Sequence, residues 1–221
     1  MKQKAKMLQK AARVFIRPHK IAEGSPLPPS PAVILVRHGD LRGPVNAFLS
    51  LDPPPKIWVL SPFFDFRSCY EQYRSYTFSE RRGKKPGKCS PMAALAAAAV
   101  VPLIRAMDAI PVYRGKRRVT ETLEQTVERL KKGETVVIAA DKDYTNRDAP
   151  VSSIHTGFFR MEPMYFDATG EHLPFCALRF DKNRAMTFSE PLYFSGEDSF
   201  AKERKQNTAA VIHFLNNETG S

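Results

Sequence analysis

A histidine and a carboxylate, His38 and Asp40, stand two residues apart directly after the apolar run Val33-Ile-Leu-Val36 and just before Gly43-Pro44. Imidazole changes charge near neutral pH, so a histidine at this place is suited to take a proton from a reacting group, and a carboxylate beside it can stabilise the imidazolium that forms. Strand ends are where α/β enzymes keep such groups. Taken alone, the same residues also describe a strand running into a Gly/Pro turn that happens to contain a histidine.

Two later segments have the same design. An apolar strand pattern over 109–113 ends in Arg114-Gly115-Lys116-Arg117-Arg118, and another over 135–140 leads into Asp141-Lys142-Asp143-Tyr144-Thr145. A guanidinium at a strand end can grip a phosphate bidentately, and the lysine and arginines beside it add positive potential. In an open α/β sheet such ends converge on one ligand crevice.

The elements that must position these groups alternate along the chain. Strand patterns cover 32–37, 57–61, 174–180 and 186–194 as well, the last with Pro191 marking an edge position. Between them lie a polar-aromatic helix over 68–79, a basic loop, an Ala-rich helix over 92–107 introduced by Ser90-Pro91, and an amphipathic helix over 120–132 with Leu123, Val127 and Leu130 on one face, closed by Gly133. The Ala-rich run is too short, and too interrupted by Pro102, for a membrane span. The alternation predicts an α/β fold: a single domain over 32–215 with a mixed, mostly parallel sheet flanked by helices, followed by a tail at 216–221.

At 221 residues the chain can bury a sizeable core, and its net charge of +11 draws polyanions: nucleic acid, an anionic membrane surface or a phosphorylated substrate. Cys69, Cys89 and Cys176 are odd in number and far apart, which fits neither a disulfide framework nor a zinc site and favours a reducing cytoplasm. No metal ligand set is expected. The first 20 residues carry seven Lys and Arg and no acid, with Met7, Ala11, Val14 and Phe15 at helical spacing. This segment, 1–23, reads as a basic amphipathic helix, either docked on the domain or lying at an anionic membrane interface, and 24–31 as a Pro/Ser-rich linker.

The order of elements from about 33 to 194 resembles the glycerolipid acyltransferases of the lysophosphatidate (1-acyl-glycerol-3-phosphate) acyltransferase type. The resemblance rests on His38-Gly39-Asp40 with Gly43-Pro44 after it, on Ile110-Pro-Val-Tyr-Arg114-Gly115, on Val137-Ile-Ala-Ala-Asp141-Lys142, on Tyr144-Thr145, on Gly157-Phe158 and on Leu173-Pro174-Phe175. The chain departs from the family in its first motif, with Gly43 where an Asp stands five positions after the histidine, and in its third, where of Phe-Pro-Glu-Gly only an acidic residue is kept.

The resemblance implies a glycerol-3-phosphate acyltransferase-like fold and acyl transfer from a thioester to a lysophospholipid such as lysophosphatidate, in phospholipid biosynthesis. His38 would be the general base and Asp40 its orienting carboxylate. Arg114 and Lys116 would bind the acceptor phosphate, with Asp141 orienting the acceptor or holding Arg114, and Lys142 meeting phosphate where the family has glycine. No cofactor would be bound. The co-substrate would be an acyl-CoA or acyl carrier protein thioester, and the protein would sit peripherally on the cytoplasmic membrane face.

Two other functions are open to the same residues. One is a homologue that has lost turnover and binds phospholipid at the membrane surface. The other is a histidine phosphatase, because Leu35-Val-Arg37-His38-Gly39 is close to the motif in which an Arg and a His cradle a phosphoryl group and the His becomes phosphorylated. That class needs a second histidine at a late strand end, whereas His155 follows polar residues and His172 and His213 stand in unsuitable contexts. Nucleic-acid binding is not expected, since the basic clusters lack interleaved aromatics and no helix-turn-helix or zinc finger is present.

Overall fold

The computed structural model describes residues 2–80, 86–115, 118–143 and 149–217. Its strands are β1 (Lys20–Ile21), β2 (Val33–Val36), β3 (Lys56–Leu60), β4 (Ile110–Val112), β5 (Val136–Ala139), β6 (Phe175–Phe180) and β7 (Ala185–Phe188). Its helices are α1 (Lys2–Phe15), α2 (Arg42–Ser50), α3 (Phe66–Glu71), α4 (Pro86–Ala106), α5 (Val119–Leu130), α6 (Met161–Thr169) and α7 (Phe200–Asn216), with a π-helical stretch, Gln72–Glu80, continuing α3. The strands form one seven-stranded sheet in the order β1-β7-β6-β2-β5-β3-β4. Every pairing is parallel except the β6–β7 hairpin.

The sheet is covered on both sides. Val33 and Leu35 of β2 join Leu123 and Val127 of α5, Tyr165 of α6 and Val211 of α7 in one core. Ile34 and Val36 face the other way, onto Ala47 and Phe48 of α2, with Leu8 of α1 and Ile104 of α4 packed alongside. Successive strand residues point to opposite faces, so a strand buried on both sides must be apolar throughout. All four residues of β2 have no exposed surface, which explains its uninterrupted hydrophobic run.

Several elements differ from the sequence expectations, each for an identifiable reason. The basic helix stops at Phe15, and Lys20–Ile21 pairs with β7, so the segment 1–23 contributes a strand as well as a helix. Segment 24–31 is pinned to the sheet, with Ser25 Oγ accepting the Phe188 N–H at 2.9 Å. The Ala-rich helix starts at Pro86 rather than Ser90, using another proline at a first helical position, and runs through Pro91 and Pro102. Strand β7 ends at Phe188 and lies between β1 and β6, so Pro191 falls outside it and marks no edge. Leu192 instead returns to exchange both backbone hydrogen bonds with Phe175.

Helix α1 also turns the opposite way from its apparent amphipathicity. Ala5 and Gln9 are buried, while Met7, Val14 and Phe15 are 68%, 80% and 88% exposed. Gln9 Nε2 donates to the carbonyls of Phe48 at 2.6 Å and Leu51 at 2.7 Å, and Arg13 Nε donates to that of Leu49 at 2.7 Å. These carbonyls belong to the end of α2, where the helix leaves its acceptors without internal partners, so polar side chains dock α1.

At the N-terminal edge of the sheet lies a buried ionic group. Lys56 Nζ meets Asp108 at 2.5 Å, and Arg129 meets Asp108 at 2.9 Å and Glu134 at 3.4 Å. Burial pushes the Asp108 carboxyl up, but hydrogen bonds and charges from Lys56 and then Arg129 outweigh it and hold it below the ordinary value. Cys69 and Cys176 are buried free thiols, and burial pushes them up to about 11 and about 12.

Candidate functional site

The parallel pairing places the C-terminal ends of β2, β5, β3 and β4 along one edge of the sheet, in that order. His38 follows β2, Asp141 follows β5 and Arg114 follows β4, so the three charged strand ends share that edge. The nearest pair is joined directly. Asp141, 4% exposed, accepts the backbone N–H of His38 through Oδ1 at 2.6 Å. A short bond to an ionised acceptor is among the stronger hydrogen bonds in a protein. The carboxylate expected to orient the acceptor or hold Arg114 therefore ties down the turn that carries His38.

That turn is unusual in its backbone. After half-buried His38 the chain makes a 3-10 turn over Gly39–Leu41 and enters α2 at once. Gly39 and Leu41 have φ of +47° and +73°. Leucine is disfavoured in the left-handed region, and it is 58% exposed here, so burial of its side chain does not account for the conformation. Its N–H reaches His38 Nδ1 at 3.4 Å, a long contact that holds only while Nδ1 carries no proton.

Gly43, where the resembling family has Asp, is buried at the start of α2. A Cβ at this position would lie 1.8 Å from the backbone oxygen of Arg37, so the helix packs against the strand end too closely for any side chain. Of Asp40 the backbone belongs to the 3-10 turn, and its side chain lies outside the described residues. Lys116 lies outside them altogether.

Arg114 and Lys142 are exposed at the same sheet edge. The loop after β5 is held by a short antiparallel contact with a returning segment: Asp141 bridges Ile154, Lys142 donates its N–H to the Ser153 carbonyl at 3.1 Å, and His155 donates its N–H to that of Ala140 at 2.8 Å. His155 thereby joins the site. Desolvation, then the charges of Lys142 and Arg114, lower its pKa below the ordinary value, while Asp141 opposes them. One imidazole thus senses Asp141, Lys142 and Arg114 together.

In the sequence His155 follows polar residues, which conceals its place at this edge. Buried Val151 and Ile154 around those residues were the available signal that the segment returns to the core. Among the described residues no three His, Cys, Asp or Glu side chains gather as metal ligands. No described helix is long and apolar enough to cross a membrane. Compared with known proteins, the chain matches no protein-family model, no curated protein and no solved structure.

Proposed function

We propose that the protein is an O-acyltransferase that moves a fatty acyl group from a thioester to the hydroxyl of a lysophospholipid such as lysophosphatidate, on a glycerol-3-phosphate acyltransferase-like α/β scaffold. The observation that carries this is the hydrogen-bonded pair of His38 and Asp141 on adjacent strand ends, with cationic Arg114 and Lys142 on the same edge. The acceptor hydroxyl attacks the thioester carbonyl as His38 takes its proton. The C–O bond forms, the C–S bond breaks, and the imidazolium returns the proton to the departing thiolate. For Nε2 to accept, Nδ1 must hold a proton, which breaks the contact from the Leu41 N–H and calls for a carboxylate partner. Asp40, in the same turn, is the residue assigned that task. Arg114 and Lys142 supply positive charge for the acceptor phosphate, and neutral His155 adds a hydrogen-bonding group.

Membrane access fits α1. Its outward stripe of Met7, Val14 and Phe15, beside exposed Lys4, Lys6, Lys10 and Arg17, suits an anionic bilayer surface, each basic residue contributing about 1 kcal/mol. Purified protein given acyl-CoA and lysophosphatidate is expected to release free thiol, and His38→Ala to abolish it. Release that survives His38→Ala refutes the assigned base.

Exclusion of any side chain at Gly43 favours a second function, phospholipid binding without turnover. Salt-sensitive binding to anionic vesicles with no thiol release from either donor identifies it. His155 near the edge also gives the phosphatase class a second imidazole, and inorganic phosphate release from phosphomonoesters through phospho-His38 is its signature.

A further inference from the structure

The chain leaves β2 toward β3 and leaves β6 in the opposite direction, toward β7. Neighbouring strands with diverging connections leave a crevice beyond their C-terminal ends, and such crevices take ligands in open α/β sheets. Here that crevice is a cleft of about 610 Å³ between the ends of β2 and β6, walled by the start of α2 and the end of α7. It lies on the side of β2 away from Arg114, and the acyltransferase chemistry proposed above leaves it unused.

Its wall is cationic. Arg37, Arg42, Arg179 and Lys182 line it, against Asp181 as the one carboxylate among the described lining residues. Asp181 Oδ1 already accepts the Ala185 N–H at 2.7 Å. The Arg37 guanidinium is anchored on the carbonyl of Ala149, which orients a group that has five N–H donors in all. Arg179 is anchored on the carbonyl of Phe214 at 3.2 Å. The first turns of α2, with Gly43 and Asn46 on the wall, add the positive end of a helix dipole. Half-buried Phe180 supplies apolar surface, while Leu178 and Leu215 beside it are almost fully buried.

Four cations and an apolar wall in this volume exceed what one inorganic phosphate requires, and they suit a ligand with several phosphates and a flat apolar group. The cleft also reaches Gly39, the neighbour of His38. We propose that it binds the phosphorylated nucleotide handle of a coenzyme A thioester, so that the flexible arm leads the acyl group past Gly39 to the imidazole. The identity of this ligand rests on the acyltransferase function; the phosphate chemistry of the cleft does not.

Calorimetric titration of the full chain with coenzyme A, adenosine 3′,5′-bisphosphate and inorganic phosphate tests it without any turnover. The two nucleotides are expected to bind, inorganic phosphate at least about tenfold more weakly, and the double variant Arg42→Gln/Lys182→Gln to lose about tenfold or more of nucleotide affinity. Both substituted residues are exposed, and circular dichroism checks that the fold persists. Arg114→Gln should leave nucleotide affinity unchanged. Affinity indifferent to the double variant, or inorganic phosphate binding as tightly as nucleotide, overturns the proposal. Thiol release from an acyl carrier protein thioester with no coenzyme A binding overturns it while acyl transfer stands. Nucleotide binding lost in the double variant, with no thiol release from any donor, supports the cleft and retires acyl transfer.

Discussion

Asp141 and His38 are joined across adjacent strands, the buried carboxylate accepting the histidine's backbone N–H at 2.6 Å. The bond positions the turn rather than the ring, so the effect of losing it depends on whether an acceptor remains. Asp141→Asn keeps a carbonyl oxygen there and should retain most of the proposed thiol release. Asp141→Ala leaves the His38 N–H without this partner and should lower stability by about 1–3 kcal/mol in urea titration, with kcat falling more than KM rises. Equal effects of the two substitutions would mean that the charge, and not the acceptor, matters.

Gly43 cannot be converted to the carboxylate that the family resemblance would place there. With a Cβ 1.8 Å from the Arg37 oxygen, α2 must move before any side chain fits. Both Gly43→Ala and Gly43→Asp should destabilise the protein by about 3 kcal/mol, read from the denaturation midpoint, and Asp should restore nothing that Ala lacks. A stable, more active Gly43→Asp would show that the turn opens readily.

The Lys56–Asp108–Arg129 group makes stability pH-dependent at the acid end. Because the folded Asp108 carboxyl lies below its unfolded value, its contribution is complete above the unfolded carboxylate range near pH ~4 and is lost as pH falls through the folded value. Asp108→Asn should remove this part of the acid sensitivity and cost about 3–5 kcal/mol at neutral pH, since it leaves buried Lys56 without its nearest counter-charge. Thermal unfolding of both forms between pH 3 and pH 7 measures it, and parallel curves would deny Asp108 the role.

His155 should titrate below the ordinary histidine range, because desolvation, Lys142 and Arg114 all disfavour its imidazolium. Its ring protons followed by NMR give the value directly. Lys142→Gln and Arg114→Gln should each raise it, and Asp141→Asn should lower it. A midpoint unmoved by Lys142→Gln would separate His155 from the β5 loop.

The central strands were legible because burial on two faces demands an unbroken apolar run, and β2 and β5 are such runs. Helix α5 was legible from its single apolar face, and the six strands β2 to β7 and their mostly parallel pairing agree with the α/β alternation. The two-residue strand β1, the short helices α2 and α6 and the longer α7 were not legible. Gly43-Pro44 in α2 looks like a turn, and its helical state depends on packing against β2. Helix α1 was legible as a basic amphipathic helix, but the face that docks on the domain was not, since Gln9 and Arg13 hold it by hydrogen bonds that hydropathy does not register.

By itself the sequence determined which residues stand at strand ends, His38, Arg114 and Asp141, because periodicity and turn residues are local properties. Which of these ends become neighbours was decided only by the tertiary structure. Strand order put β5 beside β2 and so brought Asp141 to the His38 turn, returned His155 to the same edge, and opened the basic cleft on the side facing β6. Pairing between strands about a hundred residues apart depends on how the whole sheet closes its two cores, and no local pattern encodes it.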